Sequence, residues 1–154
     1  MRGLGFVLAA VLLSGCARLV PQYAQHLDCD SLKKVIASIP QDFASVATTT
    51  VDTRYGTIWR TNTNAYGDDC SLLGSDNRVP RSYFCSIPEK DQKAAMQALA
   101  DDVEKCLGPT WQRKELPRPA TRFTRSSDVV AVDVGISDVQ ASRTSAVGLL
   151  VRKL

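Results

Sequence analysis

Apolar residues recur at two different periods along this chain. Leu32, Val35, Ile36 and Ile39 fall at i, i+3, i+4 and i+7, the spacing of one helix face. The pattern predicts a helix over 29–39, with Asp28 or Asp30 capping its start and Pro40 ending it. A second stripe runs through Met96, Leu99, Val103, Cys106 and Leu107 and stops at Gly108-Pro109. Ser86-Ile87-Pro88-Glu89 has the S-x-x-E spacing of a capping box, with Pro in the first turn, so this helix is predicted to begin there. Asp101, Asp102 and Glu104 fall on or near its opposite side.

Elsewhere the period is two. The stretch from Phe43 to Thr63 is rich in Thr, Val, Tyr, Ile and Trp and predicts strands over 44–51 and 54–62. A turn through Gly67 at 66–69, a loop over 74–77 and a short third strand over 81–86 follow. In the tail, Val130, Val132, Val134 and Ile136 alternate, and so do Val147, Leu149 and Val151. Pairing Val134 with Leu149 makes a hairpin with Val132 facing Val151 and Ile136 facing Val147 on one apolar face. The same register sets Gly135 opposite Gly148 on the other face. Two facing glycines leave a flat spot without side chains. It calls for a bulge, for a ring such as Trp59 or Trp111 laid across it, or for a partner's backbone or a ligand in close approach. The element order predicts an α+β domain over 28–154, an antiparallel sheet with two helices packed on one face. No internal repeat or second domain is visible.

Composition narrows the class. The 154 residues make about one domain. Hydrophobic residues at 44% and charged residues at 23% are a globular balance, which excludes disorder and low-complexity readings. A formal charge of +3 is too mild to suggest a nucleic-acid binder.

The first residues read as an address. Arg2 precedes a ten-residue apolar run, Leu4 to Leu13, which suits a signal-peptide core and is short for a membrane helix. Leu13-Ser14-Gly15-Cys16 follows. This stretch resembles the lipobox of bacterial lipoproteins. The resemblance implies cleavage after residue 15, a Cys16 diacylated on sulfur and acylated on its amine, and a tether over 16–27. It also implies a cell-envelope location facing the periplasm, and Ala17 in place of Asp leans to the outer membrane. Several acyl chains hold firmly where one holds weakly.

With Cys16 given to the lipid, Cys29, Cys70, Cys85 and Cys106 remain, an even number for an oxidising compartment. No CxxC spacing exists and His26 is the only imidazole, so disulfides are expected and a metal site is not. The predicted second helix separates Cys85 from Cys106 by roughly 25–30 Å, beyond the ~7 Å a disulfide spans. Two connectivities stay open, Cys29–Cys106 with Cys70–Cys85, and Cys29–Cys85 with Cys70–Cys106. The first is favoured, because it staples the start of one helix to the end of the other as antiparallel packing requires.

Chemistry-bearing motifs are scarce. His26 lies in the tether, where no third group can hold a catalytic base. Asp68-Asp69 reads as a turn, and Asp101 and Asp102 point about 100° apart on a helix, so neither pair converges on one bond. No phosphate loop, G-x-S-x-G or H-E-x-x-H occurs. No enzyme activity and no cofactor are therefore expected. One segment is charge-biased: Trp111, Arg113, Lys114, Arg118, Arg122 and Arg125 stand against one acid, Glu115. Arg and Trp are common interface anchors. These residues, with Gly135 and Gly148, are the candidate partner-binding set. The expectation is a lipid-anchored envelope binding protein of inhibitor or immunity type, facing a toxin or enzyme. The alternative is an accessory subunit of an envelope secretion or assembly complex.

Overall fold

The computed structural model describes residues 27–53, 56–74, 80–127, 129–139 and 144–154. The apolar run, Cys16, His26 and part of the 74–77 loop lie outside the described residues.

Helix α1 spans Cys29–Ser38 and continues as a single 3-10 turn, Ile39–Gln41. Asp28, rather than Asp30, is its cap: its carboxylate accepts from the amides of Asp30 and Ser31 and from the Ser31 hydroxyl. These bonds hold the Asp28 carboxyl below its ordinary range. Asp42 and Phe43 then take left-handed backbone angles, φ 48° and 62°. That turn buries the Phe43 ring and delays the first strand to Ala47 rather than 44.

Eight strands follow: β1 (Ala47–Thr53), β2 (Gly56–Thr61), β3 (Cys70–Leu73), β4 (Ser82–Pro88), β5 (Gln112–Glu115), β6 (Ala120–Thr124), β7 (Val130–Val139) and β8 (Thr144–Lys153). Helix α2, Gln92–Leu107, falls between β4 and β5. All neighbours pair antiparallel in one sheet, ordered β1-β2-β3-β4-β8-β7-β6-β5.

One local expectation is corrected, and two elements went unpredicted. The four-residue β3 went unpredicted, since so short a strand shows only two inward positions, Cys70 and Leu72. Ser86 is no helix cap: it pairs with Gly148, and β4 runs on through Pro88. Asp91 caps α2 instead, accepting from the Ala94 amide at 3.1 Å. Cross-strand pairing outweighs the local capping signal there. The basic segment forms a hairpin, β5–β6, with Pro117 and Pro119 in its turn.

The β7–β8 register is the predicted one, with Val134 opposite Leu149 and Gly135 opposite Gly148. One inward row crosses the whole sheet: Thr50, Trp59, Leu72, Tyr83, Val151, Val132, Phe123 and Arg113. Helix α2 packs on β6, β7 and β8, and α1 packs on α2. The helices bury Leu32, Val35, Leu99 and Val103 in the same cluster as the middle of that row, from Trp59 to Phe123. Each such side chain contributes about 1.5–3 kcal/mol by leaving water. Truncating Leu99 to Ala would cost about 2–5 kcal/mol.

Two disulfides lock these parts. Cys29–Cys106 joins the start of α1 to the last turn of α2, with Cα atoms 5.6 Å apart. Cys70–Cys85 links directly opposed residues of β3 and β4, 4.2 Å apart. The buried Tyr83 hydroxyl donates to the Thr63 carbonyl at 2.7 Å and accepts from the Ala65 amide at 2.8 Å. It thereby ties the β2–β3 connection to the core. Burial pushes the Tyr83 phenol up to about 12.

Candidate functional site

Neither helix packs on the second face of the sheet, where Val51 and Leu73 stand 39% and 37% exposed. Strand alternation turns Arg60, Ser71, Phe84, Leu150, Asp133, Arg122 and Lys114 to this face in one row. Gly148, Gly135 and Ala120 form the next. Over the two glycines lies a cleft of about 150 Å³, walled by Phe84, Leu150 and Pro119, with Arg118 and Asp133 at its polar side. That volume takes about one benzene-sized group.

The glycines are there because their neighbours come close. A Cβ on Gly148 would lie 2.9 Å from Phe84 Cε2, and one on Gly135 would lie 3.1 Å from Ala120 Cβ. The ring at the flat spot is therefore Phe84, not Trp59 or Trp111. Trp59 faces the core from β2, and Trp111 stands on the helix side.

The predicted basic set does not converge on one patch. Arg113 points inward at the end of the sheet-wide row. Its Nη1 donates to Asp101 and Glu104 of α2 at 2.8 Å each, and its Nε donates to Glu115 at 3.0 Å. The Arg113 bond holds the Asp101 carboxyl below its usual range. A Thr121 hydroxyl bond, and then Arg113, do the same for Glu115. The guanidinium itself is shifted upward by Asp101, then Glu104. Arg113 thus fastens the edge strand β5 to α2. Asp101 and Asp102 diverge as expected, Asp102 accepting from Lys105 at 3.2 Å.

Arg122 meets Asp133 through two bonds, Nε to Oδ1 at 2.7 Å and Nη2 to Oδ2 at 2.8 Å. Asp133 shifts the Arg122 guanidinium upward. Arg125 turns to the helix side, 5.4 Å above the Trp111 ring. Lys114 and Arg118 are exposed on the uncovered face. Among the candidates, then, Lys114, Arg118, Gly135 and Gly148 share one surface with the outer edge of Arg122. Arg113, Trp111 and Arg125 do not join them.

Sequence reasoning missed Phe84, Asp133 and Leu150 at this cleft. A signal existed for two of them. Asp133 is the one charged residue at an outward position of the Val130–Ile136 alternation, and Phe84 sits between the inward Tyr83 and Cys85. No group of three or more His, Cys, Asp or Glu among the described residues is placed to hold a metal ion. Comparison with known proteins gives no match among family models, curated proteins or solved structures.

Proposed function

We propose that this protein is a lipid-anchored binding protein of the bacterial envelope that holds a protein partner against the uncovered face of its sheet. The cleft over Gly135 and Gly148 carries this reading. It offers an apolar pocket for one partner side chain beside the exposed Arg118, with the exposed Lys114 further along the same face beyond Arg122. Buried apolar anchors next to a cationic rim suit a partner that presents an apolar residue flanked by acids. The sheet, with Cys70–Cys85 across two of its strands, presents a preorganised surface, which lowers the entropy cost of binding. The disulfides also support an oxidising compartment, in keeping with Cys16 acylation and the periplasm-facing, outer-membrane location read from the lipobox resemblance. A partner held next to the membrane would be an enzyme or toxin to be neutralised, the inhibitor or immunity role.

The test uses the tagged full chain to capture partners from envelope and secreted fractions. The expected result is one soluble hydrolase or toxin, inhibited on binding, and lost from the capture with Arg118→Glu combined with Lys114→Glu. Capture unaffected by that pair removes this face from the interface. A set of membrane-complex subunits would replace the inhibitor role with that of an accessory subunit. Palmitate labelling that persists in Cys16→Ser would overturn the anchor.

A further inference from the structure

A second groove, about 650 Å³, lies on the helix side between α1, the end of α2 and the β6–β7 turn. Ile36, Pro40, Leu107 and Trp111 form its apolar wall. Lys33, Arg125 and Lys153 stand around it, and no carboxylate is among its described lining residues. Asp42 touches Lys153 from the margin at 3.8 Å. Asp128, beside Ser127 in sequence, lies outside the described residues.

Next to these cations stand Val129 and Leu154, the two most exposed large hydrophobics among the described residues, at 61% and 55%. The Leu154 amide donates to the Val129 carbonyl at 2.8 Å, which holds the two residues side by side.

We infer that this end of the domain rests on a bilayer surface and seats anionic phospholipid headgroups between Lys33 and Lys153. Cations there meet phosphate, the amphipathic Trp111 suits the headgroup level, and Val129 and Leu154 reach the acyl boundary. The apolar pair beside the cations favours a bilayer over an acidic protein. A bilayer places an apolar layer directly beneath its charged one, where a soluble protein surface seldom does. The anchor permits this: the later turns of α1 line the groove, and an extended tether from Cys16 reaches roughly 35–40 Å. Docking would turn the anchored domain so that one chosen side meets the membrane. The inference shares the anchor with the function proposed above but not the partner, so failure to capture a partner would leave it standing.

The experiment reconstitutes the full chain in vesicles of phosphatidylcholine, with or without phosphatidylglycerol, made from lipids brominated on their acyl chains. Trp111 reports contact by quenching, since Trp59 is buried in the core. Quenching is expected with phosphatidylglycerol and should be reversed by salt. Each lysine contributes about fivefold, so Lys33→Gln with Lys153→Gln should lower the docked-to-undocked ratio about 25-fold. Val129→Asp should reduce quenching as well, and partner capture should survive all three changes. Equal quenching in both vesicles, or no response to the lysine pair, overturns the inference. Loss of partner capture without a lipid response would assign the groove to the protein partner instead.

Discussion

Arg122 and Asp133, on adjacent strands β6 and β7, clasp each other through two short hydrogen bonds on the sheet face that the helices leave uncovered. Asp133 is only 4% exposed, and a second guanidinium, Arg152, approaches it at 3.5 Å. The carboxylate thus sits under two arginines within the sheet surface.

Removing Arg122 therefore acts on folding before it acts on binding. Arg122→Ala leaves a buried carboxylate with one distant partner and should destabilise the fold by about 2–4 kcal/mol. Lys114→Ala and Arg118→Ala, both exposed, should stay within about 0.5 kcal/mol of the natural chain. Urea unfolding of the three variants separates them. A loss at Arg122 no larger than at Arg118 would show that the clasp contributes nothing to stability.

Arg113 ties stability to pH. Asp101 and Glu115 have folded-state values below their unfolded ones. Such groups contribute fully above the unfolded value, near 4, and lose that contribution as pH falls through the folded value. The acids around Arg113 are 47% to 61% exposed, so solvent screening keeps the network to about 1–2 kcal/mol. Arg113→Ala should cost that much at pH 7 and clearly less at pH 3. Paired urea midpoints at the two pH values read this, and a gap as wide at pH 3 would mean that packing, not charge, is what Arg113 supplies.

The disulfides should differ in worth. Cys29–Cys106 spans 77 residues and Cys70–Cys85 spans 15. In the chain-entropy model these loops contribute about 4.5 and about 3 kcal/mol. Replacing Cys29 and Cys106 together with Ala should thus lower the thermal midpoint more than replacing Cys70 and Cys85. The reverse order would point to strain or residual denatured-state structure in place of loop entropy.

Gly148→Ala should alter the cleft with little effect on folding. The new Cβ would meet the far end of the half-buried Phe84 ring, which can swing outward. The contact costs about 1 kcal/mol, offset by the roughly 0.5–1 kcal/mol that Ala gains over Gly within a strand. Partner affinity should change all the same, because the ring walls the site. A double-mutant cycle with Phe84→Ala should show coupling between the two positions. Purely additive effects would place the ring elsewhere.

The sequence by itself determined the elements whose signal is local. The 3.6-residue stripes yielded both helices, because a helix face is written within one turn. The strict alternation in β7 and β8 set which residues face inward, because a slip of one would turn Val132, Val134, Leu149 and Val151 outward; pairing Val134 with Leu149 then fixed the register that the structure shows. The helix between Cys85 and Cys106 ruled out one disulfide by length alone. Tertiary structure decided what depends on distant partners. Ser86 lost its capping role because Gly148, 62 positions away in the chain, offered a strand to pair with. The four-residue β3 exists because β2 and β4 flank it. The basic segment looked like one patch in sequence, yet strand alternation sends Arg113 to the helices and Arg122 to Asp133. A side chain's neighbours across a sheet are set by strand order and register, and neither is encoded in the segment that carries it.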